Sequence, residues 1–173
     1  MAGREKIVYH NEVAEYYEYA KMERLFGDKI LHRIDIKDRD AFIAELINAI
    51  EAKMKRLKIK KLDSKIVILK SITITDNKSL CDEAIANLDD MFISICKNPA
   101  IYTIIHEFAH FIHYFELLGI SVYDDPPKKR KRHGLTYTIN YHGSSFKANL
   151  KIIRAIIMRQ KKFKQYLVCT GNY

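Results

Sequence analysis

Residues 98–119 read NPAIYTIIHEFAHFIHYFELLG. Asn98 can take an orphan amide as an N-cap, Pro99 loses nothing at the first helical position and Gly119 supplies a stop, so a helix is predicted from there to Leu118. Within it, His106 and His110 stand four residues apart, one turn above the other on a single face. Both imidazoles can therefore reach one Zn²⁺, while Glu107 can take a proton from water that the metal activates. This pattern points to metal-assisted attack of water on a carbonyl. Two solvent-facing histidines with an ordinary solvated glutamate are the competing reading.

A catalytic zinc needs a third protein ligand. The metzincin continuation of this motif would have glycine at position 113 and histidine at 116 to turn the chain back to the metal, where His113 and Glu116 stand instead. On an unbroken helix Glu116 projects away from the two-histidine face. His113 lies two turns from His106, about 10 Å along the axis, so a packing or supporting role suits it better than ligation. The third ligand must come from farther on. His142 opens the run His142-Gly143-Ser144-Ser145-Phe146-Lys147 at the start of a last helix, where Phe146 can anchor that helix and hold His142 over the motif. His133, at the end of a basic run, and Asp124 are the alternatives.

Outward from this centre the chain reads as mixed α and β. Residues 11–27 form a first helix capped by Asn11. Ile34 and Ile36 alternate as a short extended segment. Asp40 then caps a helix whose stripe is Phe42, Ile43, Leu46, Ile47, Ile50, Met54 and Leu57. KIVILKSITIT (65–75) is rich in β-branched residues and is predicted as a strand, followed by a turn at 76–78, a short helix over 82–88 and a second strand, MFISIC (91–96). Segments 121–123 and 135–141 are predicted extended, with Pro126-Pro127 and the basic run at the tip of a hairpin-like insertion spanning about 120–141. A final helix from Ser144 or Ser145 buries Phe146, Leu150, Ile153, Ile156 and Ile157. No repeat or low-complexity linker divides the 173 residues, so one domain over 1–173 is expected.

Composition narrows the class. With 48% hydrophobic and 29% charged residues the chain is neither disordered nor collagen-like, and no apolar run is long enough to span a bilayer. The first residues lack the apolar core of a secretory signal, so an intracellular place, cytoplasm or nucleoid or nucleus, is expected without membrane association. Cys81, Cys96 and Cys169 are far apart and are expected as reduced thiols. The net charge of +9 is uneven. Residues 128–173 hold 12 Lys or Arg and no acid, opening with Lys128, Lys129, Arg130, Lys131 and Arg132. Such a run attracts phosphate through Coulomb force and counterion release, with a solvated loop as the bland alternative. Tyr137 and Tyr141 on the adjoining strand could stack unpaired bases.

H-E-x-x-H on a helix, followed by H-G-x-x-F-K at the start of another, resembles the SprT-like and Spartan metalloproteases over roughly residues 91–157. The resemblance implies a small zincin-like α+β domain with N-terminal helices, a small sheet, the motif helix and a closing helix. It implies zinc held by His106, His110 and His142, Glu107 as catalytic base, and cleavage of a protein substrate on or near DNA. Tyr137, Tyr141, His133 and His113 are then candidates to stabilise the oxyanion or support the ligands. Two rival functions stand beside this one: a nucleic-acid-binding module with a structural metal, and a regulatory zinc peptidase that cleaves one partner protein without DNA. Glu107 favours an enzyme, because a structural site has no use for a carboxylate between its ligands.

Overall fold

A computed structural model describes residues 33–78, 84–120 and 143–167. Its elements are α1 (Ile36–Arg56), α2 (Leu62–Ser71), β1 (Thr73–Asp76), β2 (Ala84–Asn87), β3 (Phe92–Ile95), α3 (Ile101–Tyr114), α4 (Ser144–Arg159) and a final 3₁₀ turn (Lys161–Tyr166). The class is α+β: four helices gather round a three-stranded sheet ordered β1-β3-β2, with β1 parallel and β2 antiparallel to β3. The predicted helix at 11–27 and the insertion at 121–141 lie outside the described residues. No helix among the described residues is long and apolar enough to cross a membrane.

The helix α1 carries most of the expected stripe, with Phe42, Ile43, Leu46, Ile50 and Met54 buried and Ile47 half-buried, whereas Leu57 is the C-cap and is 43% exposed because the helix has ended there. Its cap is Asp35 rather than Asp40. The Asp35 carboxylate accepts from the amides of Lys37 and Asp38 at 2.9 and 3.0 Å. Ile36 therefore belongs to the helix and not to an extended segment. What draws the start forward is a backbone pairing: Ile34 N–H donates to Pro99 O at 3.1 Å, and Arg33 bridges Ala100. The same pairing displaces the start of α3. Asn98 does not cap it, because the Asn98 carbonyl accepts from Arg33 while Ala100 occupies the N-cap without a side-chain bond.

Two further expectations fail for one reason. The run 65–71 is helical in α2, and only Thr73–Asp76 is a strand. A short apolar run cannot by itself distinguish a buried strand from a buried helix, and here α1 decides. Leu69 is buried, Val67 is 66% exposed, and Lys70 Nζ reaches Glu51 of α1 at 2.8 Å. The predicted short helix at 82–88 contains the strand β2 instead. Despite the helix propensity of alanine, Ala84–Asn87 satisfies the outer edge of β3 in register from Ala84↔Ile95 to Asn87↔Phe92. The turn between them uses Asn87, whose side chain accepts from the Asp90 amide and donates to the Asp90 carboxylate. Asp76, expected in a turn, ends β1.

Arg39 locks α1 to the sheet. Although 3% exposed, its guanidinium meets Asp40 at 2.8 Å and Asp76 at 2.9 Å, and donates to the carbonyls of Ile95 and Cys96 at 3.2 Å. Burial pulls its pKa down, but the hydrogen bonds and charges of the two carboxylates outweigh this and hold it above the ordinary value. One side chain thus joins the first turn of α1 to the ends of β1 and β3.

The core is continuous through all these elements. Phe163 and Tyr166 of the 3₁₀ turn set their rings edge-on to Phe42 at 5.6 and 5.4 Å, which holds the end of the chain on α1. On α4 the expected residues Phe146, Leu150, Ile153, Ile156 and Ile157 are all buried.

Arg39→Met keeps the buried stem and removes the guanidinium, so Cys96 O loses the donor that Arg39 supplies, the Asp76 carboxylate loses its ion pair, and Ile95 O keeps only the Asn77 amide. A loss of about 2–3 kcal/mol in urea unfolding is expected, against under about 1 kcal/mol for Asp40→Asn, whose carboxylate is largely exposed. Equal stability of Arg39→Met and the wild type would remove Arg39 from this role.

Candidate metal centre

The helix α3 is apolar on nearly every side. Ile101, Tyr102, Ile104, Ile105, Phe108, Ala109, Phe111, Ile112 and His113 are buried, whereas Thr103, His106, Glu107, His110 and Tyr114 are half-buried and recur at helical spacing. The motif residues therefore lie along the single stripe that the core leaves partly open.

Along that stripe the Nε2 atoms of His106 and His110 approach to 3.2 Å, with ring centroids 4.9 Å apart. Two nitrogens in a tetrahedral zinc shell, each about 2.0–2.1 Å from the metal, sit about 3.3 Å apart, so the pair fits as two ligands of one ion. The other nitrogen of His106 is also engaged: Nδ1 and the Tyr102 hydroxyl share a hydrogen bond of 3.2 Å. Tyr102 is buried and sits one turn before His106. A metal-binding histidine commonly has such a partner on its second nitrogen, which selects the tautomer. Sequence reading passed over Tyr102, and the only signal was a tyrosine four residues before the first motif histidine.

Phe146 closes the other side. Its ring lies 4.7 Å from His110, tilted by 33°, and 5.2 Å from His106 in an edge contact. It is 3% exposed, so the first turn of α4 both buries it in the core and braces the two imidazoles. His113 is 2% exposed with its ring 6.3 Å from Phe146, in the core beside the pair.

The end of α3 departs from expectation. The helix stops at Tyr114 rather than Leu118, because Glu116 takes a left-handed conformation (φ 50°). Its N–H donates to His113 O while Leu117 N–H donates to Ile112 O, the reciprocal pairing that closes a helix. Leu117 is thereby tucked into the core. Glu116 thus stands beyond the helix instead of projecting from its flank. Gly119, the expected stop, has φ 74° in the following turn, where an added Cβ would come 3.3 Å from Ile59 Cδ1.

Among the described residues no third His, Cys, Asp or Glu joins His106 and His110 in a group of three. His142, His133, Asp124, Tyr137, Tyr141 and the basic run Lys128 to Arg132 all lie outside the described residues. Gly143, the neighbour of His142, is the N-cap of α4, three residues before the ring that touches both motif histidines. Cys96 is half-buried and free.

No protein-family model matches the chain, and no curated protein or solved structure is significantly similar to it.

Proposed function

We propose that this chain is a zinc-dependent endopeptidase with a zincin-like domain, acting on proteins at or near DNA. The observation that carries the reading is the 3.2 Å approach of the two Nε2 atoms, with Glu107 on the same half-buried stripe. His106 and His110 supply two ligands, and His142, covalently next to the N-cap of α4, supplies the third. Zinc, when bound, polarises the substrate carbonyl and lowers the pKa of water toward about 7.

The chain's own residues do the rest. The Glu107 carboxylate takes the proton of the attacking water and returns it to the departing amine as the peptide C–N bond breaks, so the enzyme ends with the proton count it began with. In this arrangement His106 Nδ1–H donates to the Tyr102 oxygen, which leaves the Nε2 lone pair directed at the metal position. Phe146 covers the α4 side of the imidazoles and keeps water from them there.

The placement near DNA rests on the charge asymmetry, since residues 128–173 carry 12 basic and no acidic side chains. Within the described part, Lys147 and Lys151 stand exposed one turn apart on α4. The acid-free segment would follow phosphates while the half-buried stripe meets the protein substrate.

Glu107→Gln keeps the shape of the side chain and removes the base. The variant is expected to hold zinc like the wild type and to lose cleavage of an unstructured protein by about 10²-fold or more, while His142→Ala loses zinc itself. Metal content and cleavage assayed on the same preparations decide: undiminished cleavage by Glu107→Gln, or undiminished zinc affinity in His142→Ala, would break the mechanism. Replacing the five residues Lys128 to Arg132 by Gln should weaken DNA binding and flatten its salt dependence without changing peptide cleavage. Equal binding would detach the function from DNA.

Tyr102→Phe removes one hydroxyl from a buried ring. Zinc affinity, measured by competition with a chelator, is expected to fall about 10- to 100-fold. In the metal-free protein, nitrogen NMR should show a changed tautomer balance at His106. Unaltered affinity together with an unaltered tautomer would show that Tyr102 only packs.

A further inference from the structure

Residues 53–65, KMKRLKIKKLDSK, carry seven Lys or Arg and a single acid, Asp63. They form the end of α1, the connector and the start of α2, on a part of the molecule that the metal reading does not use. A concavity of about 570 Å³ opens here. Lys58, Lys60, Lys61, Lys65, Glu116 and Gly119 line it, with Leu57 and Ile59 as its apolar part.

The charges in it differ from those on a solvated helix face. Lys55 and Lys70 nearby are ion-paired, sharing the one carboxylate of Glu51. Lys65 Nζ donates to the carbonyl of Glu116. Lys58, Lys60 and Lys61 are exposed and form no ion pair among the described residues. Their backbone is constrained: Lys58 (φ 52°) closes α1, through Lys58 N–H to Lys55 O and Ile59 N–H to Met54 O, and Lys61 (φ 54°) opens α2. Two left-handed residues three apart bend the connector, so like charges gather in a concavity instead of spreading over a convex surface.

The helix ends reinforce the sign. Near the ends of α1 and α3 the carbonyls of Lys53, Met54 and Lys55 and of Phe111, Ile112 and His113 are taken up by the closing turns. By contrast, α2 has no side-chain cap at Lys61, and its first amides add partial positive charge. Four lysines against the single carboxylate of Glu116 leave the lining with a positive excess, which favours an anion.

We infer that this concavity binds phosphate groups, with Lys58, Lys60 and Lys61 as the donors. Lysine is a compact point-charge donor to phosphate oxygens, and the volume exceeds that of one phosphate, which suits successive phosphates of a chain. Those phosphates come either from a nucleic-acid backbone or from a free oligophosphate. The site does not depend on zinc or on the basic run at 128–132.

The test uses the full chain and the variant K58Q/K60Q/K61Q, with K60Q alone as a second variant whose backbone has no positive φ. Tripolyphosphate binding is measured by calorimetry. A short labelled single-stranded oligonucleotide is titrated by anisotropy at several salt concentrations, with and without zinc. The triple variant is expected to bind tripolyphosphate about tenfold more weakly and to lower the salt slope for the oligonucleotide by about 2, with K60Q in the same direction and smaller. Loss for the oligonucleotide alone assigns the site to nucleic acid, and loss for tripolyphosphate alone assigns it to a free phosphate compound. Unchanged binding of both probes by both variants overturns the inference, whereas a failed zinc reading would appear as absent metal with these losses intact.

Discussion

A mostly apolar helix whose polar side chains, His113 apart, fall on one stripe has to be covered everywhere else, and the described fold is organised by that constraint. The helix α3 buries nine of its residues against the sheet and α4. The uncovered stripe is the one with His106, Glu107 and His110. Burial of the apolar faces, worth roughly 1.5–3 kcal/mol for each large side chain, therefore fixes which way the imidazoles point, with no polar contact needed to set the direction. Tyr102 and Phe146 refine the result, one through a hydrogen bond on Nδ1 and the other through ring contacts.

Polar accounting then decides where α3 sits. The pairing of 33–34 with 99–100 sets its start relative to α1, and Arg39 ties α1 to the ends of β1 and β3. At the far end, Glu116 closes the helix in a left-handed conformation and turns Leu117 inward. Each of these contacts satisfies backbone or guanidinium groups that would be costly to bury alone. The proposed centre thus rests on contacts made far from it in the chain.

The element stripes were legible because periodicity is local. Most of the buried positions of α1, those of α4, the strand 92–95 and the i, i+4 histidine pair follow from spacing alone.

Partners from elsewhere in the chain decided what spacing leaves open. Asn98 and Asp40 are good caps by composition, but the 33–34 pairing moved both helix starts. The run 65–71 suits a strand until α1 and Glu51 claim it as a helix, and 84–87 suits a helix until the edge of β3 claims it as a strand. Tyr102 reads as one more core aromatic until its hydroxyl is found against His106. The sequence by itself determined the chemistry available on α3, because residue type and helical period are local properties. The distance between the two Nε2 atoms, the partner on Nδ1, the ring that braces them and the concavity that gathers Lys58, Lys60 and Lys61 were decided only by tertiary structure, because each depends on which distant groups must share one core or one hydrogen bond.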